Sequence, residues 1–224
     1  MGKSSSANPW PAGLAALLKK YKGKHHPLEY KNVYQLFCMV ILSAQSTDKL
    51  INSIAPAFFR VYPSMKTLST ARPEDLIPYI SKVIGHRKKA EWLVKAAQSI
   101  KLDKNIPLTM DGLIALPGIG RKSANVIMRE AGAKAEGVIV DLHVIRVAKR
   151  IGITKSEDPK IIVQDIMKKM PEESWGEVGM AISFLGREIC RPTDPMHDQC
   201  PVNSVCKYYA KEKMAVKKSK SKRA

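Results

Sequence analysis

The spacing of the apolar residues constrains the fold of this chain more than any other feature of its sequence. Between Lys31 and Thr47 the apolar side chains recur every three or four residues, as on one wide face of a helix. Similar patterns follow along most of the 224 residues, and no alternating strand pattern or fixed-period repeat accompanies them. The sequence therefore predicts an all-α protein built from short helices.

Local signals place the individual helices. Proline and two acids mark a helix N-terminus at Pro73, and Thr109 is a candidate N-cap for another short helix. The run Val138-Ile139-Val140 has strand propensity but is isolated, so we expect an extended connection into a helix beginning near Leu142. Helices are also predicted at 13–21, 48–61, 88–100, 121–131, 159–170 and 173–187.

The chain carries a large positive charge. It has 38 Lys and Arg against 20 Asp and Glu, a net charge of +18. Such a balance implies a polyanionic partner, nucleic acid or an anionic membrane surface, although the Lys-rich C-terminal tail is equally typical of a disordered solubilising end. No run is long and apolar enough to span a bilayer, and the N-terminus shows no secretory signal. An intracellular protein is expected, in the cytoplasm or nucleoid of a prokaryote or the nucleus of a eukaryote.

The segment Leu116–Asn125, with the sequence Leu-Pro-Gly-Ile-Gly-Arg-Lys-Ser-Ala-Asn, predicts a turn that binds phosphate. Gly118 and Gly120 allow a tight turn between two helices and leave backbone N–H groups facing outward. The next helix adds the positive end of its dipole, and Arg121 and Lys122 add charge. A lone Gly-x-Gly is more often an ordinary helix C-cap, but the apolar flanks and basic residues favour phosphate contacts, which are blind to base identity.

Three of the four cysteines, Cys190, Cys200 and Cys206, fall within seventeen residues. An odd-numbered group of this kind fits a metal or iron–sulfur site better than a disulfide framework. Cys38 lies in a separate apolar run, where a buried free thiol is expected.

These motifs together carry a family resemblance. Leu116–Asn125, followed by Val140–Val147 (Val-Asp-Leu-His-Val-Ile-Arg-Val), resembles the endonuclease III group of helix-hairpin-helix DNA glycosylases. Leu42–Asp48 is similar to the group's minor-groove loop, and Leu185–Cys190 to its lead into the iron–sulfur loop. The similarity runs from about residue 15 to residue 208, nearly the whole chain.

The resemblance implies a two-domain helix-hairpin-helix DNA glycosylase fold. A helical-barrel domain with the hairpin is expected at 25–135. A second helical domain with the iron–sulfur loop would combine 11–24 with 136–210. Residues 211–224 are predicted to form a basic disordered tail.

The resemblance also implies a monomeric base-excision repair enzyme, a bifunctional DNA glycosylase and AP lyase acting on oxidised pyrimidines and abasic sites in double-stranded DNA. Lys122 would be the amine nucleophile that attacks C1′ of a flipped-out nucleotide, displaces the base and leaves a Schiff base, after which β-elimination cuts the strand. Asp141 would deprotonate Lys122 or stabilise positive charge on the sugar. Gln45 would fill the gap left by the nucleotide, and Gly118 and Gly120 would hold the DNA backbone.

Acid–base chemistry limits the role of Asp141. An unperturbed lysine, with a pKa of about 10.4, is protonated at neutral pH and cannot attack. A shift of about three units costs roughly 4 kcal/mol, which burial and cationic neighbours can supply, whereas a nearby carboxylate favours the ammonium. Asp141 is therefore expected to accept a proton or stabilise the sugar cation and not to neutralise Lys122. It is also a candidate N-cap of the helix at Leu142.

The family pattern for the iron–sulfur loop is Cys-x6-Cys-x2-Cys-x5-Cys. Cys190, Cys200 and Cys206 match the first, third and fourth positions, and His197 stands at the second. The resemblance therefore implies a [4Fe–4S] cluster with a Cys3His ligand set, because imidazole can ligate iron in a cluster. Two alternatives stay open: a Cys3His zinc site, or no metal with His197 in a surface loop. In the family the cluster is structural and positions a DNA-facing loop.

Three further positions are carried over from the resemblance. His86 stands where the family has an apolar or aromatic residue wedged against the base opposite the lesion, in a loop one residue shorter. A histidine can stack on a base, but the change leaves the opposite-base and lesion preference open. His143 and Asp48 match positions near the family's DNA pocket. Two other functions stay open: a mismatch glycosylase of the same fold acting on T/G or U/G pairs, and a non-catalytic DNA-binding module.

Overall fold

The computed structural model describes residues 8–221, with side chains to residue 215, and this range contains helices and loops but no strand. The predicted all-α class is confirmed. Twelve α-helices follow one another within the range: α1 (Trp10–Lys20), α2 (Val33–Ser43), α3 (Asp48–Val61), α4 (Met65–Ser69), α5 (Pro73–Ile80), α6 (His86–Ile100), α7 (Met110–Ile114), α8 (Arg121–Glu130), α9 (Leu142–Ile151), α10 (Pro159–Lys169), α11 (Trp175–Glu188) and α12 (Lys207–Ser221).

The helix limits follow the local signals of the sequence. α5 begins at Pro73, and the Thr109 side chain caps α7 by accepting a hydrogen bond from the Gly112 N–H. Residues 138–140 form a buried connection without strand pairing, and α9 begins at Leu142, as predicted. The short helix α4 was not predicted, because five residues are too few to show a period; a capping box at its N-terminus forms it.

The chain divides into two compact units. His25–Lys134 form one of them, called here the central unit, which contains α2 to α8. The other, called the terminal unit, combines the chain up to Lys24 with the chain from Ala135 onward and contains α1 and α9 to α12.

The central unit is built around α2. Eight of the eleven residues of this helix are buried, so it packs on nearly every side, against α3, α6 and α8. The Tyr34 hydroxyl donates a hydrogen bond of 2.8 Å to the Tyr62 carbonyl, which ties α2 to the end of α3. Cys38 is a fully buried free thiol, as predicted. Because α8 packs directly on α2, the hairpin that precedes α8 stands on the core of this unit.

The terminal unit is built around α11, which packs against α9 and α1. Every residue from Val178 to Gly186 is buried. The Glu188 carboxylate accepts hydrogen bonds from Lys24 and from the Tyr21 hydroxyl, the latter at 3.0 Å, and so fixes α1 to the end of α11. Although α11 is apolar, neither it nor another helix within residues 8–221 is long and apolar enough to cross a membrane.

The tail is a helix where disorder was predicted. α12 runs from Lys207 to Ser221, and of the predicted disordered segment 211–224 only residues 222–224 lie outside the described range. Two tyrosines anchor its first turn: the Arg150 guanidinium lies 4.9 Å from the ring centroid of Tyr208, and Tyr209 stacks on His197. Lys, Glu, Ala and Met are good helix formers, so a helix that is anchored at its start continues along this sequence.

Candidate active site

The predicted hairpin is present in the central unit. α7 ends at Ile114, a turn follows, and α8 begins at Arg121 with Gly120 as its N-cap residue. Ile119 is buried while Gly120, Arg121 and Lys122 are exposed. The turn therefore fixes one apolar side chain in the core and leaves the start of α8 accessible to a ligand.

The two glycines of the hairpin differ in what the fold requires of them. Gly118 has a φ of +82°, and a Cβ atom there would lie 2.7 Å from the Trp92 ring, so both the backbone and the packing demand glycine. Gly120 has an extended φ of −99°, and a Cβ there would have no atom of residues 8–221 within 4 Å. The fold needs Gly118. Gly120, in contrast, leaves room for a ligand to approach the N-terminus of α8 closely.

Lys122 is the second residue of α8 and is exposed. It makes no hydrogen bond or ion pair with any residue in the described range. A cation in the first turn of a helix is not stabilised by the helix dipole, which favours anions there. No contact of Lys122 with the described residues therefore stabilises the central unit, and its exposed position favours contact with a ligand.

Asp141 is held firmly in the terminal unit. Its Oδ1 accepts a hydrogen bond of 2.9 Å from the Val144 N–H, which makes it the N-cap of α9, as predicted. Its Oδ2 accepts one of 2.7 Å from the Ser183 hydroxyl and lies 3.6 Å from the Arg187 guanidinium. Burial opposes ionisation, but the hydrogen bonds from Ser183 and Val144 and the positive charges nearby outweigh it and lower the pKa of Asp141. The carboxylate is therefore charged at neutral pH and fixed in direction.

Ser183 and Arg187 were not predicted from the sequence. They lie four residues apart on one face of α11, and the Arg187 Nε donates to the Ser183 hydroxyl at 3.4 Å. Ser183 is a fully buried polar residue within an apolar stretch. A serine at such a position, followed four residues later by an arginine, was the available signal, since a buried hydroxyl needs a partner.

The segment before Asp141 is positioned by small residues of α11. A Cβ at Gly179 would lie 2.3 Å from the carbonyl oxygen of Ile139, so only glycine allows the extended segment to pass this close to the helix. His143 follows in the first turn of α9, half-buried, and its Nδ1 lies 3.3 Å from the Arg146 guanidinium. The predicted residues Asp141 and His143 thus share one helix start.

The predicted Gln45 lies at the tip of the turn between α2 and α3. Gln45 is exposed and has a φ of +59°, a left-handed conformation that is strained for a residue with a side chain. The buried Lys89 ammonium donates hydrogen bonds to the carbonyls of Leu42, at 2.8 Å, and Ala44. These bonds hold the last turn of α2 and the start of the loop, so the strained residue stays in place. Burial lowers the pKa of Lys89.

Lys89 was missed as well, because Arg87-Lys88-Lys89 resembles an exposed basic run. The helical period gave the only signal, since Lys89 is followed by the buried Ala90 and Leu93 on the inner face of α6.

His86 and Asp48 occupy helix starts near this turn. His86 is the first residue of α6 and half-buried, while the side chain two residues before it, Ile84, is 58% exposed. The Ile84 N–H donates to the Ser46 hydroxyl at 3.4 Å, which joins the loop before α6 to the Gln45 turn. Asp48 is the first residue of α3, where an acid suits the helix dipole. Gln45 and His86 thus belong to connected loops, and the exposed Ile84, which was not singled out from the sequence, lies in the second of these loops.

The four predicted metal ligands line one small cavity in the terminal unit, together with apolar residues such as Ile189 and Met196. Each sulfur faces an N–H donor. The Arg150 guanidinium donates to the Cys190 sulfur at 3.4 Å and the Tyr209 N–H to the Cys206 sulfur at 3.5 Å. Burial, with Cys206 and Cys190 close by, raises the pKa of Cys200, and a hydrogen bond from the Val202 backbone opposes the rise. The donor set of three thiols and one imidazole suits an iron–sulfur cluster, whose sulfurs commonly accept such bonds.

His197 is oriented by α12. Its Nε2 lies 2.6 Å from the Glu212 carboxylate, though not aligned as a hydrogen bond, and its ring stacks on Tyr209 with 4.8 Å between the centroids. No three of the His, Cys, Asp and Glu side chains in the described range converge on a position for a single metal ion. Cys190, His197, Cys200 and Cys206 are therefore candidate ligands by their spacing and by the cavity that they line together.

The motifs that form these two sites also match known proteins. A family model described as HhH-GPD superfamily base excision DNA repair protein matches residues 38–172, which include the hairpin and Asp141. The endonuclease III of Synechocystis sp. is 35% identical over 195 residues, which cover 86% of this chain and 89% of that protein. The chain belongs to the endonuclease III family. Members of this family are base-excision DNA glycosylases, AP lyase activity is typical of them, and they are generally associated with a [4Fe–4S] cluster.

Solved structures agree with this assignment to the endonuclease III family. The structure of a trapped endonuclease III–DNA covalent intermediate matches with a TM-score of 0.78 at 30% identity, over 90% of this chain and 95% of that one. The predicted helix-hairpin-helix glycosylase fold is confirmed. A thermostable thymine-DNA glycosylase matches with a TM-score of 0.74 over 89% of this chain and 96% of that one, but at 20% identity it shows the common fold alone.

Proposed function

We propose that this endonuclease III family member removes oxidised pyrimidines from double-stranded DNA and cuts the strand at the resulting site. The observation that carries the proposal is Lys122: an exposed amine in the first turn of α8, beside the open position at Gly120. A lysine that the fold does not need, next to a helix N-terminus suited to phosphate, is what a covalent reaction on DNA requires.

Lys122 is the nucleophile in this proposal. Its neutral amine forms a bond to C1′ of a flipped-out nucleotide, and the bond between C1′ and the base breaks, with the electron pair leaving on the base. Opening of the sugar gives a Schiff base between Nζ and C1′. Loss of a proton from C2′ then expels the 3′ phosphate by β-elimination, which cuts the strand. Flipping the nucleotide costs a few kcal/mol, and less when the base is damaged, which supplies part of the selectivity.

Asp141 is the charged partner in the reaction. Its lowered pKa keeps it ionised, and its three contacts keep it in one direction. An ionised carboxylate of this kind can accept a proton or stabilise positive charge developing on the sugar. The Ser183 hydroxyl and Arg187 act on Asp141 and are positioning residues.

The remaining proposed residues contact DNA. The amide groups at Gly118 and Gly120 would hold the backbone, and Gln45 would fill the gap left by the flipped nucleotide. His86, His143 and Asp48 are proposed at the edges of this interface. The strained conformation of Gln45, held by Lys89, supports its role, because backbone strain that the fold over-determines is typical of functional loops.

Cys190, His197, Cys200 and Cys206 are proposed to hold a [4Fe–4S] cluster. When bound, the group would fix the loop between α11 and α12 and carry no step of the base chemistry. Because Nε2 of His197 lies 2.6 Å from the Glu212 carboxylate, Nδ1 is the nitrogen that would hold iron. We expect visible colour and bound iron in the purified protein. His197→Cys should keep the iron and His197→Ala should lose most of it, while a colourless, iron-free wild type would refute the cluster.

Borohydride trapping tests the proposed function. On duplex DNA with thymine glycol, the wild type should form a covalent protein–DNA adduct, and Lys122→Ala should form none. The exposed neighbour Arg121 provides the matched control, since Arg121→Ala removes a cation from the same turn without removing the amine nucleophile.

Other outcomes would identify the rival functions. Base removal from T/G or U/G pairs that persists in Lys122→Ala, without strand cutting, would identify a mismatch glycosylase. Tight DNA binding by the wild type with no adduct on any lesion would identify a non-catalytic binding module.

A further inference from the structure

A basic groove runs along the terminal unit between α9 and α12. It measures about 670 Å³ and is open to solvent. Six cations line it, Arg146, Lys149, Arg150, Lys155, Lys207 and Lys211, against a single acid, Glu157. All of its lining residues belong to the terminal unit.

Most of the charge in this groove is not neutralised. Glu157 pairs with Lys149, and both side chains are exposed, so this ion pair is weak. Lys155, Lys207 and Lys211 are exposed and have no carboxylate partner within residues 8–221. A concave surface lined by one sign of charge concentrates its field and attracts a polyanion.

The two arginines are fixed by bonds that leave their charge intact. Arg146 donates to the Gly186 carbonyl at 2.8 Å, and Arg150 donates to the carbonyls of Arg191 and Pro192 at 2.6 and 2.7 Å. Because carbonyl groups are neutral, these bonds do not neutralise the positive charge of the guanidinium groups. They do restrict the conformations of the two arginine side chains. Binding to groups that are already ordered costs less conformational entropy.

The groove begins beside Asp141. Leu142, the next residue, lines its near end and is 79% exposed. From there the lining follows α9 to Arg150, about 12 Å at 1.5 Å per residue. That length corresponds to about three to four nucleotide steps along a DNA strand.

We infer that the α9–α12 groove binds the phosphate backbone of the DNA on one side of the lesion and reaches about three to four nucleotides from the reacting sugar. The inference rests on the proposed function, because it takes Asp141 as the position of that sugar. An evenly spaced polyanion matches a row of cations with one acid among them. α12 supplies Lys207 and Lys211, so this helix forms one wall of the site.

The salt dependence of DNA binding tests the groove. The triple variant Lys155→Gln, Lys207→Gln, Lys211→Gln removes its three unpaired lysines. The matched control, Lys19→Gln, Lys160→Gln, Lys168→Gln, removes three exposed lysines of the same unit that lie outside the groove. Both variants lower the net charge equally, and unchanged melting temperatures would show that both fold.

In a plot of log K against log salt, the groove variant should lose about 0.9 from the slope for each phosphate contact removed, about 2 to 3 in total. The control variant should stay within about 0.5 of the wild-type slope. Equal slopes for the two triple variants would overturn the inference.

Shortened DNA gives a second test, made on the wild type and the groove variant side by side. Each flank of the duplex is cut back in turn to two base pairs from the lesion. With one of the two flanks, the wild-type slope should fall to that of the groove variant, and the groove variant should lose nothing further. An equal loss in both proteins on either flank would contradict the groove. Trapping of the wild type on the full duplex is the separate check: its failure refutes the proposed function, whereas normal trapping with equal slopes refutes the groove alone.

Discussion

The starts of α8 and α9 each present one of the two proposed catalytic groups at a helix N-terminus, but the two groups differ in exposure and in hydrogen-bond partners. Lys122 at the start of α8 is exposed and has no partner in the described range, and its neighbour Gly120 faces open space. Asp141 at the start of α9 is 14% exposed in its side chain and accepts two hydrogen bonds beside Arg187. The start of α8 leaves Lys122 accessible to a ligand. At the start of α9, groups of the protein itself already bind the Asp141 carboxylate.

The difference follows from the chemistry that each group performs. A nucleophile must reach a carbon atom and move with it through several intermediates, so a mobile side chain on a fixed helix suits it. A charge-stabilising carboxylate acts through its position, so it is worth more when its direction is fixed in advance. The contrast predicts that changes at α8 alter activity without altering stability, and that changes at α9 alter both.

The largest expected effect separates the two residues directly. Lys122→Ala should abolish the trapped adduct while the free energy of unfolding changes by less than about 0.5 kcal/mol. Asp141→Ala should destabilise the protein by about 1–3 kcal/mol, because the α9 cap and the partner of Ser183 are lost. Urea unfolding and borohydride trapping measure both. A destabilised Lys122→Ala would break the comparison.

Asp141→Asn isolates the charge of the carboxylate from its capping role. Asparagine is as good an N-cap as aspartate, so the fold should be kept. The rate of base removal should still fall by about 10²- to 10⁴-fold, because the charge is gone. A fully active Asp141→Asn would show that the carboxylate contributes to structure alone.

The glycines of the hairpin give the next largest contrast. Gly118→Ala should destabilise the protein by about 2–4 kcal/mol, because φ is +82° and the new Cβ would overlap Trp92. Gly120→Ala has no such conflict and should keep the free energy of unfolding within about 1 kcal/mol. It should nevertheless weaken binding to duplex DNA, as measured by titration. Wild-type DNA affinity in Gly120→Ala would remove the evidence for a close backbone approach there.

A smaller effect is expected at the buried lysine of α6. Lys89→Met leaves the carbonyls of Leu42 and Ala44 unpaired and should cost about 1–2 kcal/mol. Hydrogen exchange at Ser46 and Thr47 should become faster, since the Gln45 turn loses its support. Lys88→Met, one residue earlier on the exposed face, is the matched control and should change the stability by less than about 0.5 kcal/mol. Equal exchange in both variants would show that Lys89 does not hold the turn.

The smallest expected effect is the pH dependence that Asp141 adds to stability. Its pKa is lowered in the folded protein, so the folded state binds this proton less tightly than the unfolded chain does. Its contribution is present above the unfolded value of about 3.9 and is lost as the pH falls through the lower folded value. The difference in unfolding free energy between the wild type and Asp141→Asn should therefore shrink below about pH 4. A difference that is constant from neutral pH to pH 3 would contradict the lowered pKa.

The functional regions differ in how much of them the sequence predicted. The hairpin, with Gly118 and Lys122, could be predicted from the sequence because a turn between two helices depends on a few consecutive residues. The contacts of Asp141 could be predicted only in part. Its capping of α9 depends on neighbouring residues, but its partner Ser183 lies 42 residues away. Lys89 was missed for the same reason, since it bonds to carbonyls 45 and 47 residues earlier. His86 stays a prediction, and the exposed Ile84 beside it became evident only from the structure.

By itself, the sequence determined most of the helices (all but α4 and α12), the hairpin, the cysteine spacing and the family. All of these follow from hydrogen bonds and caps within a few residues, or from motifs along the chain. Only the tertiary structure decided which polar groups are buried together, that the basic tail is a helix, and that its lysines face α9 across a groove. Those features depend on chain segments tens of residues apart, and their energy comes from packing and charge that no local pattern records.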